Sequence, residues 1–364
     1  MNKSLKLFTI FGITIKVHIT FILLPALVGF MLLAEGPLVV LRGIIFTFII
    51  FGFVTCHELS HSLVAKRFNV EVKDITLLPI GGVASMQGIP EKPKEEFLIA
   101  IAGPLFNLAM AVLLFYPVYL IIGEGLRGMS FMNVVEEGFS SWKSTLLYIF
   151  WINPILAIFN LLPAFPMDGG RALRAYLAHR LGISKATRIA VALGHAFALL
   201  FGFIVLMSRW IILIVIAFFV YIAASQEERQ IDLKMTLKDY KVKDVLNEEF
   251  ISLSPDTPLS EALEMSLRTS QHNYPVVKDE NLLGLLSIQD LLSTIHRFDK
   301  DRKVNEVMSK KVITAKLDES LASVYNKMIR NNTKVVVILE DGNLKGLITL
   351  EDIARIYSIE SYKT

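Results

Sequence analysis

Gly43-Ile-Ile-Phe-Thr-Phe-Ile-Ile-Phe-Gly-Phe-Val-Thr-Cys-His-Glu-Leu-Ser-His61 is the stretch whose reading decides this chain. No charged residue occurs from Gly43 to Cys56, and then His57, Glu58 and His61 arrive together. A helix places residues four apart on one face, so His57 and His61 can hold one metal ion. Glu58 stands beside them, where a proton-transfer group is needed. Ionisable side chains inside such an apolar segment are costly and mark a functional site. The pattern points to metal-assisted hydrolysis within a membrane or just beneath its surface.

The rest of the chain supports a membrane setting. Hydrophobic residues make up 53% of it, with mean hydropathy +0.53. The excess ends near Ala224, after which Ser225-Gln-Glu-Glu-Arg-Gln-Ile-Asp-Leu-Lys234 opens a tail of soluble composition. The organisation expected is a core over 1–224, a linker over 225–240 and a tail of two units, 241–298 and 299–364. Crossing a bilayer takes about 17–25 apolar residues. About six spans are expected, near 18–34, 40–63, 97–122, 145–164, 187–207 and 210–224. The first follows basic residues as a secretion signal would, but no small-x-small cleavage site ends it, so it reads as a retained helix.

Basic residues orient the spans. With the N-terminus cytoplasmic, the inner segments hold thirteen lysines and arginines, among them Lys3, Lys66, Arg67, Arg171, Arg174 and Arg180. The outer segments hold only Arg42, Arg127, Lys143 and Arg209. A multi-pass cell-membrane protein with both termini cytoplasmic is expected, its metal centre reached from that side. The basic residues follow loops and form no patch, so no nucleic-acid partner is expected. The single cysteine, Cys56, excludes an internal disulfide and reads as a small buried core residue about a hundred degrees around the helix from His57.

A catalytic zinc site takes three protein ligands and keeps one position open. The best further candidate is Asp168, in Asn160-Leu-Leu-Pro-Ala-Phe-Pro-Met-Asp-Gly-Gly-Arg171. Pro163 and Pro166 interrupt a helix there, and Gly169-Gly170 permit a close turn. On its own the D-G-G favours a turn residue or helix cap for Asp168, but the H-E-x-x-H on the same membrane side favours the ligand.

With these segments in view, the first 224 residues resemble the site-2 proteases, the intramembrane zinc metalloproteases. The likeness rests on His57-Glu58-Leu59-Ser60-His61, Gly81-Gly82-Val83-Ala84, Ala102-Gly103-Pro104-Leu105-Phe106-Asn107 and Asn160 to Arg171. It is closest to the prokaryotic branch that carries a cytoplasmic regulatory tail, and no PDZ-like insertion is evident. The resemblance implies that His57, His61 and Asp168 hold one Zn2+ and that Glu58 is the general base. The substrate would be a transmembrane protein. Asn160 is a candidate for binding its backbone or the developing oxyanion, with helix packing as the alternative. Residues 71–87 alternate and contain a glycine pair, which reads as a hairpin, matching a re-entrant β element in the family. Gly103, Pro104 and Asn107 are assigned to close helix packing, and His18 and His195 to interface or water-facing roles.

The tail repeats itself. Lys241-Val-Lys-Asp-Val245 matches Lys303-Val-Asn-Glu-Val307, and Gly284 to Leu292 matches Gly346 to Ala354, each at an offset of 62. Each unit reads as short strand, helix, two strands and helix, and resembles a CBS motif. The expected fold is therefore a polytopic α-helical membrane core followed by an α/β tandem CBS module. In that family a Gly-x-x-Ser/Thr-x-x-Asp segment contacts adenosine nucleotides, which implies Ser287 with Asp290 and Thr349 with Asp352. The same spacing is also a capping box variant. ATP or a related nucleotide is the implied ligand, and such pairs commonly associate further, so a homo-oligomer is possible. Two other classes fit the sequence less well. A proteolytically inactive membrane nucleotide sensor or scaffold would have no need of Glu58, and a transporter would spread polar residues through several spans.

Overall fold

Two strands precede the first long helix. β1 (Ser4–Ile10) and β2 (Ile13–His18) form an antiparallel hairpin that turns through Phe11 and Gly12, both at positive φ. The computed structural model describes residues 4–87, 92–123, 137–208, 212–246, 248–279, 281–295 and 302–361. Lys3, Arg127, Arg209 and the start of the sixth expected span at 210 lie outside them. The described chain divides into two compact units, Met1–Arg229 and Gln230–Thr364.

In the first unit, α1 (Leu23–Met31) is followed by α2 (Pro37–Arg67), then β3 (Glu71–Leu78) and β4 (Gly81–Gln87). α3 (Pro93–Ile122), α4 (Trp142–Asn160), α5 (Asp168–Leu181) and α6 (Ile183–Ser208) come next, and α7 (Ile212–Lys238) begins in this unit and ends in the second. Helices α2, α3, α4 and α6 are each apolar and long enough to cross a membrane. Only 22% to 28% of their apolar windows is buried. Large side chains such as Val112, Leu113, Leu206 and Met207 stand exposed. A water-soluble fold does not expose apolar surface on that scale; a bilayer covers it. This is a membrane protein.

The other two expected spans have a different form. The strand β2 takes up the chain as far as His18, and the apolar helical piece Ile19–Met31 is left roughly 20 Å long at 1.5 Å per residue. In α7 the apolar residues give way to Ser225-Gln-Glu-Glu-Arg without ending the helix, so most of the expected linker is helical.

The strands form one sheet in the order β1-β2-β3-β4. β2 and β3 pair in parallel, and their connection passes through α1 and α2. The hairpin expected over 71–87 is β3–β4; β1 and β2 were not foreseen. Asp74 of β3 ties three strands, accepting from Lys16 at 2.7 Å and from Ser85 at 2.9 Å. Ile13, Ile15, Val72, Ile75 and Leu77 pack with Phe51 and Ala65 beneath the sheet. That cluster fixes the sheet against α2 near its histidines.

The second unit repeats at the level of every element. α8 (Leu259–Arg268), β5 (Asn273–Lys278), β6 (Asn281–Ser287) and α9 (Ile288–Ile295) recur as α10 (Leu321–Asn331), β8 (Val335–Glu340), β9 (Asn343–Thr349) and α11 (Leu350–Ser361). Each recurring element starts 62 residues later (321 − 259, 335 − 273, 343 − 281, 350 − 288). The short β7 (Thr314–Ala315) has its counterpart in the bridge from Leu253 to Val276.

The repeats exchange their leading segments. The N–H of Val242 donates to Glu319 O at 2.9 Å, and that of Val304 donates to Thr257 O at 2.9 Å. Val242 is accordingly buried with Leu321, Val324 and Ile348. Val304 is buried with Leu259, Tyr274 and Leu286. Neither repeat completes its core alone.

Candidate metal centre

His57 and His61 lie on the buried face of α2, each about 5–6% exposed. Asp168 is the first residue of α5. Gly169 and Gly170 bring it in. A Cβ on either would run into the backbone of residues 161–165, so α5 can start against the chain that ends α4 only because both lack one. Phe165 N–H donates to Ala190 O at 3.2 Å, which holds that connection to α6.

The three functional groups converge. Nε2 of His57 and Nε2 of His61 are 3.1 Å apart, and they lie 3.2 and 3.1 Å from Asp168 Oδ2. Among the described residues this is the one cluster of three such donors. The second ring nitrogens are engaged elsewhere. His61 Nδ1 is 2.6 Å from Ile99 O, a pure acceptor, so Nδ1 carries the proton. His57 Nδ1 is 3.3 Å from Asn107 Oδ1 and donates likewise. In neutral rings this turns both Nε2 lone pairs toward a carboxylate oxygen. Three acceptors facing one another repel unless a cation lies between them. A tetrahedral zinc with ligands at about 2.0–2.1 Å sets its donors about 3.3 Å apart, close to the observed triangle. The residues fit the ion.

Neighbouring elements are shaped around this group. Gly103 of α3 faces both imidazoles, where a Cβ would stand 2.6 Å from His57 Nε2 and closer still to His61 Nε2. Gly82 of β4 faces Glu58, with the corresponding distance to Glu58 Cγ 2.7 Å. The β3–β4 hairpin therefore does reach the site. Among the described residues the Glu58 carboxylate has no hydrogen-bond partner.

The expectation for Cys56 needs correcting. Cys56 is exposed, not buried. It lies on a face of α2 turned from the protein, and an apolar thiol needs no burial where lipid is the solvent. Asn107 is fully buried and packs closely, but it also orients His57, a role that depends on a partner fifty positions away. Asn160 donates its amide to Leu156 O at 2.9 Å, within its own helix, and does not join the triangle. His18 accepts from Thr20 N–H, and His195 bonds Ser225 of α7 at 2.9 Å; neither meets the metal donors.

Sequence reasoning missed a buried ionic group close by. Arg174 of α5, 3% exposed, contacts Glu96 of α3 and Glu227 of α7, and its guanidinium lies over the Phe165 ring. It fixes α5, and with it Asp168, to two other helices. In the tail, Ser287 Oγ bonds Asp290 Oδ2 at 2.6 Å, and Thr349 Oγ1 bonds Asp352 Oδ2 at 2.7 Å. Both hydroxyls also accept from the aspartate N–H and so cap α9 and α11.

Residues 45–201 match the family model "Peptidase family M50", and residues 242–297 and 304–359 each match the CBS domain. A zinc metalloprotease of Methanocaldococcus jannaschii is 37% identical over 100% of this chain and 98% of its own. Stage IV sporulation protein FB of Bacillus subtilis is 28% identical over 70% of this chain and 84% of its own. Among solved structures, a site-2 protease from Methanocaldococcus jannaschii shares 37% identity, covering 62% of this chain and 95% of that one with a TM-score of 0.46. The chain belongs to peptidase family M50, the site-2 proteases, and is a zinc metalloprotease with a tandem pair of CBS domains.

Proposed function

We propose that this enzyme cuts transmembrane protein substrates inside the bilayer, near the cytoplasmic side. One observation carries the reading: two histidines of an apolar span and an aspartate 107 residues beyond the second meet within hydrogen-bond distance. His57, His61 and Asp168 hold the zinc. When bound, the ion acidifies water and polarises a carbonyl oxygen. Glu58 takes the proton from the attacking water and delivers it to the leaving amine.

A membrane-spanning substrate hides its peptide bonds in its own helix, so it must unwind to be cut. β4 is an edge strand beside Glu58, and an unwound segment can add to that edge. Asn160 has an amide oxygen with which to meet a substrate N–H. Substrates with helix-weakening residues near the scissile bond are favoured. The bias of basic residues supports cytoplasmic termini.

The core over 1–224 is joined by 225–240 to CBS repeats over 241–298 and 299–364. These bind an adenosine nucleotide such as ATP and modulate the protease. Ser287, Asp290, Thr349 and Asp352 stand at strand-to-helix turns, where a helix N-terminus favours phosphate. Association of chains through these repeats belongs to the same reading. The test is cleavage of a membrane substrate by purified wild type and Glu58→Gln. Loss of cleavage with zinc retained supports the assignment, and equal cleavage refutes it.

A further inference from the structure

We propose that the cleft between α2 and α3, on the side away from the metal triangle, binds an anionic phospholipid of the bilayer. Its phosphate is held by Arg67 and Lys94. The cleft is an open groove with a volume of about 600 Å³. From α2 it takes Leu63, Val64 and Arg67; from α3 it takes Leu98, Ile101 and Leu105. Each set follows the spacing of one helix face. On α2 that face is rotated by about 80–100° from the face that carries His57 and His61.

The walls suit an acyl chain. Ser60 is the one polar wall residue apart from Arg67, and its hydroxyl is spent on Cys56 O at 2.8 Å. Leu98 and Leu105 are exposed along the opening. Both parent helices are long and apolar enough to cross a membrane, so the opening faces lipid tails.

Charge complementarity selects the headgroup. α2 and α3 are consecutive spans, so the last turn of one and the first turn of the other lie at the same membrane boundary. Arg67 stands in the last turn of α2. Lys94 stands in the first turn of α3, four residues before Leu98 on the same face. Both are exposed, and among the described residues neither has an ionic partner, whereas Lys92 pairs with Glu95 and Lys66 donates to Phe11 O. Two unpaired cations at the headgroup end of an apolar cleft match one phosphate above one chain. The bound lipid would brace α2 against α3, the two helices that supply His57, His61, Ile99 O and Asn107.

Native mass spectrometry of the detergent-solubilised full chain tests this, using phosphatidylglycerol and phosphatidylcholine of matched chains. Wild type is expected to retain phosphatidylglycerol at least tenfold better. Arg67→Gln and Lys94→Gln each weaken that retention roughly fivefold, about 1 kcal/mol apiece. Ile101→Trp, which fills the cleft, lowers retention of both lipids; if it fails to fold, the charge variants decide alone. Equal retention of the two lipids, or unchanged retention by the double charge variant, overturns the proposal. So does displacement of the lipid by chain-free glycerophosphoglycerol at equal concentration, which would mean an anion site without a chain site.

Discussion

Two glycines should separate metal binding from proton transfer. Gly103→Ala puts a Cβ 2.6 Å from His57 Nε2 and nearer still to His61 Nε2. Carbon atoms pack at about 3.5–4.0 Å, so the rings or α3 must retreat by roughly 1 Å. The rings are not free to do so, because His61 is bonded to Ile99 O and His57 to Asn107. Losing each such bond leaves a buried partner unsatisfied at about 1–3 kcal/mol. For both rings that is about 2–6 kcal/mol, or about 30-fold to 10⁴-fold in zinc affinity. Gly82→Ala instead meets Glu58 Cγ at 2.7 Å and Val54 Cγ1 at 3.3 Å, away from the rings. It should leave zinc affinity near wild type while lowering cleavage about 100-fold through a displaced base. Zinc competition against a chromophoric chelator and a cleavage assay on the same preparations give both quantities. Wild-type zinc affinity in Gly103→Ala would show that Gly103 does not hold the imidazoles in place, and loss of zinc in Gly82→Ala would show that Gly82 does not act on Glu58 alone.

Three further outcomes follow from particular contacts. Arg174→Leu leaves the buried Glu96 and the half-buried Glu227 without their cation, and breaking a buried pair such as Arg174–Glu96 costs about 3–5 kcal/mol; thermal unfolding in detergent should show a clear loss, and an unchanged midpoint would contradict it. Burial alone would raise the Asp74 carboxyl, but hydrogen bonds from Lys16 and Ser85 outweigh it and hold the group below its ordinary value. A depressed carboxyl stabilises the fold above its unfolded pKa of about 3.9 and loses that contribution as pH falls through the folded value. The midpoint gap between wild type and Asp74→Asn should therefore close as pH drops below about 4, and a gap that widens would reverse the sign. Thr349→Ala removes a helix cap at about 1 kcal/mol, and calorimetry should show weaker ATP binding as well; no ATP heat in wild type at millimolar concentration would remove the nucleotide from the account.

Much of the site could be read from sequence because its signals are local. The spacing of His57 and His61 on one helix face needs no tertiary information, and the offset of 62 in the tail carried over to every paired element. The less visible parts depend on distant partners. Asn107 looks like any small polar residue in a packed span until His57, from another helix, meets it. Arg174 counted only as a cytoplasmic charge, because Glu96 and Glu227 lie 78 positions before it and 53 after it. β1 and β2 escaped notice since basic residues ahead of an apolar run also describe the start of a span. The exchange of leading segments between the repeats leaves no mark on either sequence, since the identical turns would form in either pairing.

The most direct test is anomalous scattering at the zinc edge from crystals of zinc-loaded protein. One peak is expected, about 2 Å from His57 Nε2, His61 Nε2 and an Asp168 carboxylate oxygen, with the peak lost in Asp168→Ala. A fully loaded protein whose zinc lies elsewhere, with Asp168 turned from the imidazoles, would contradict it.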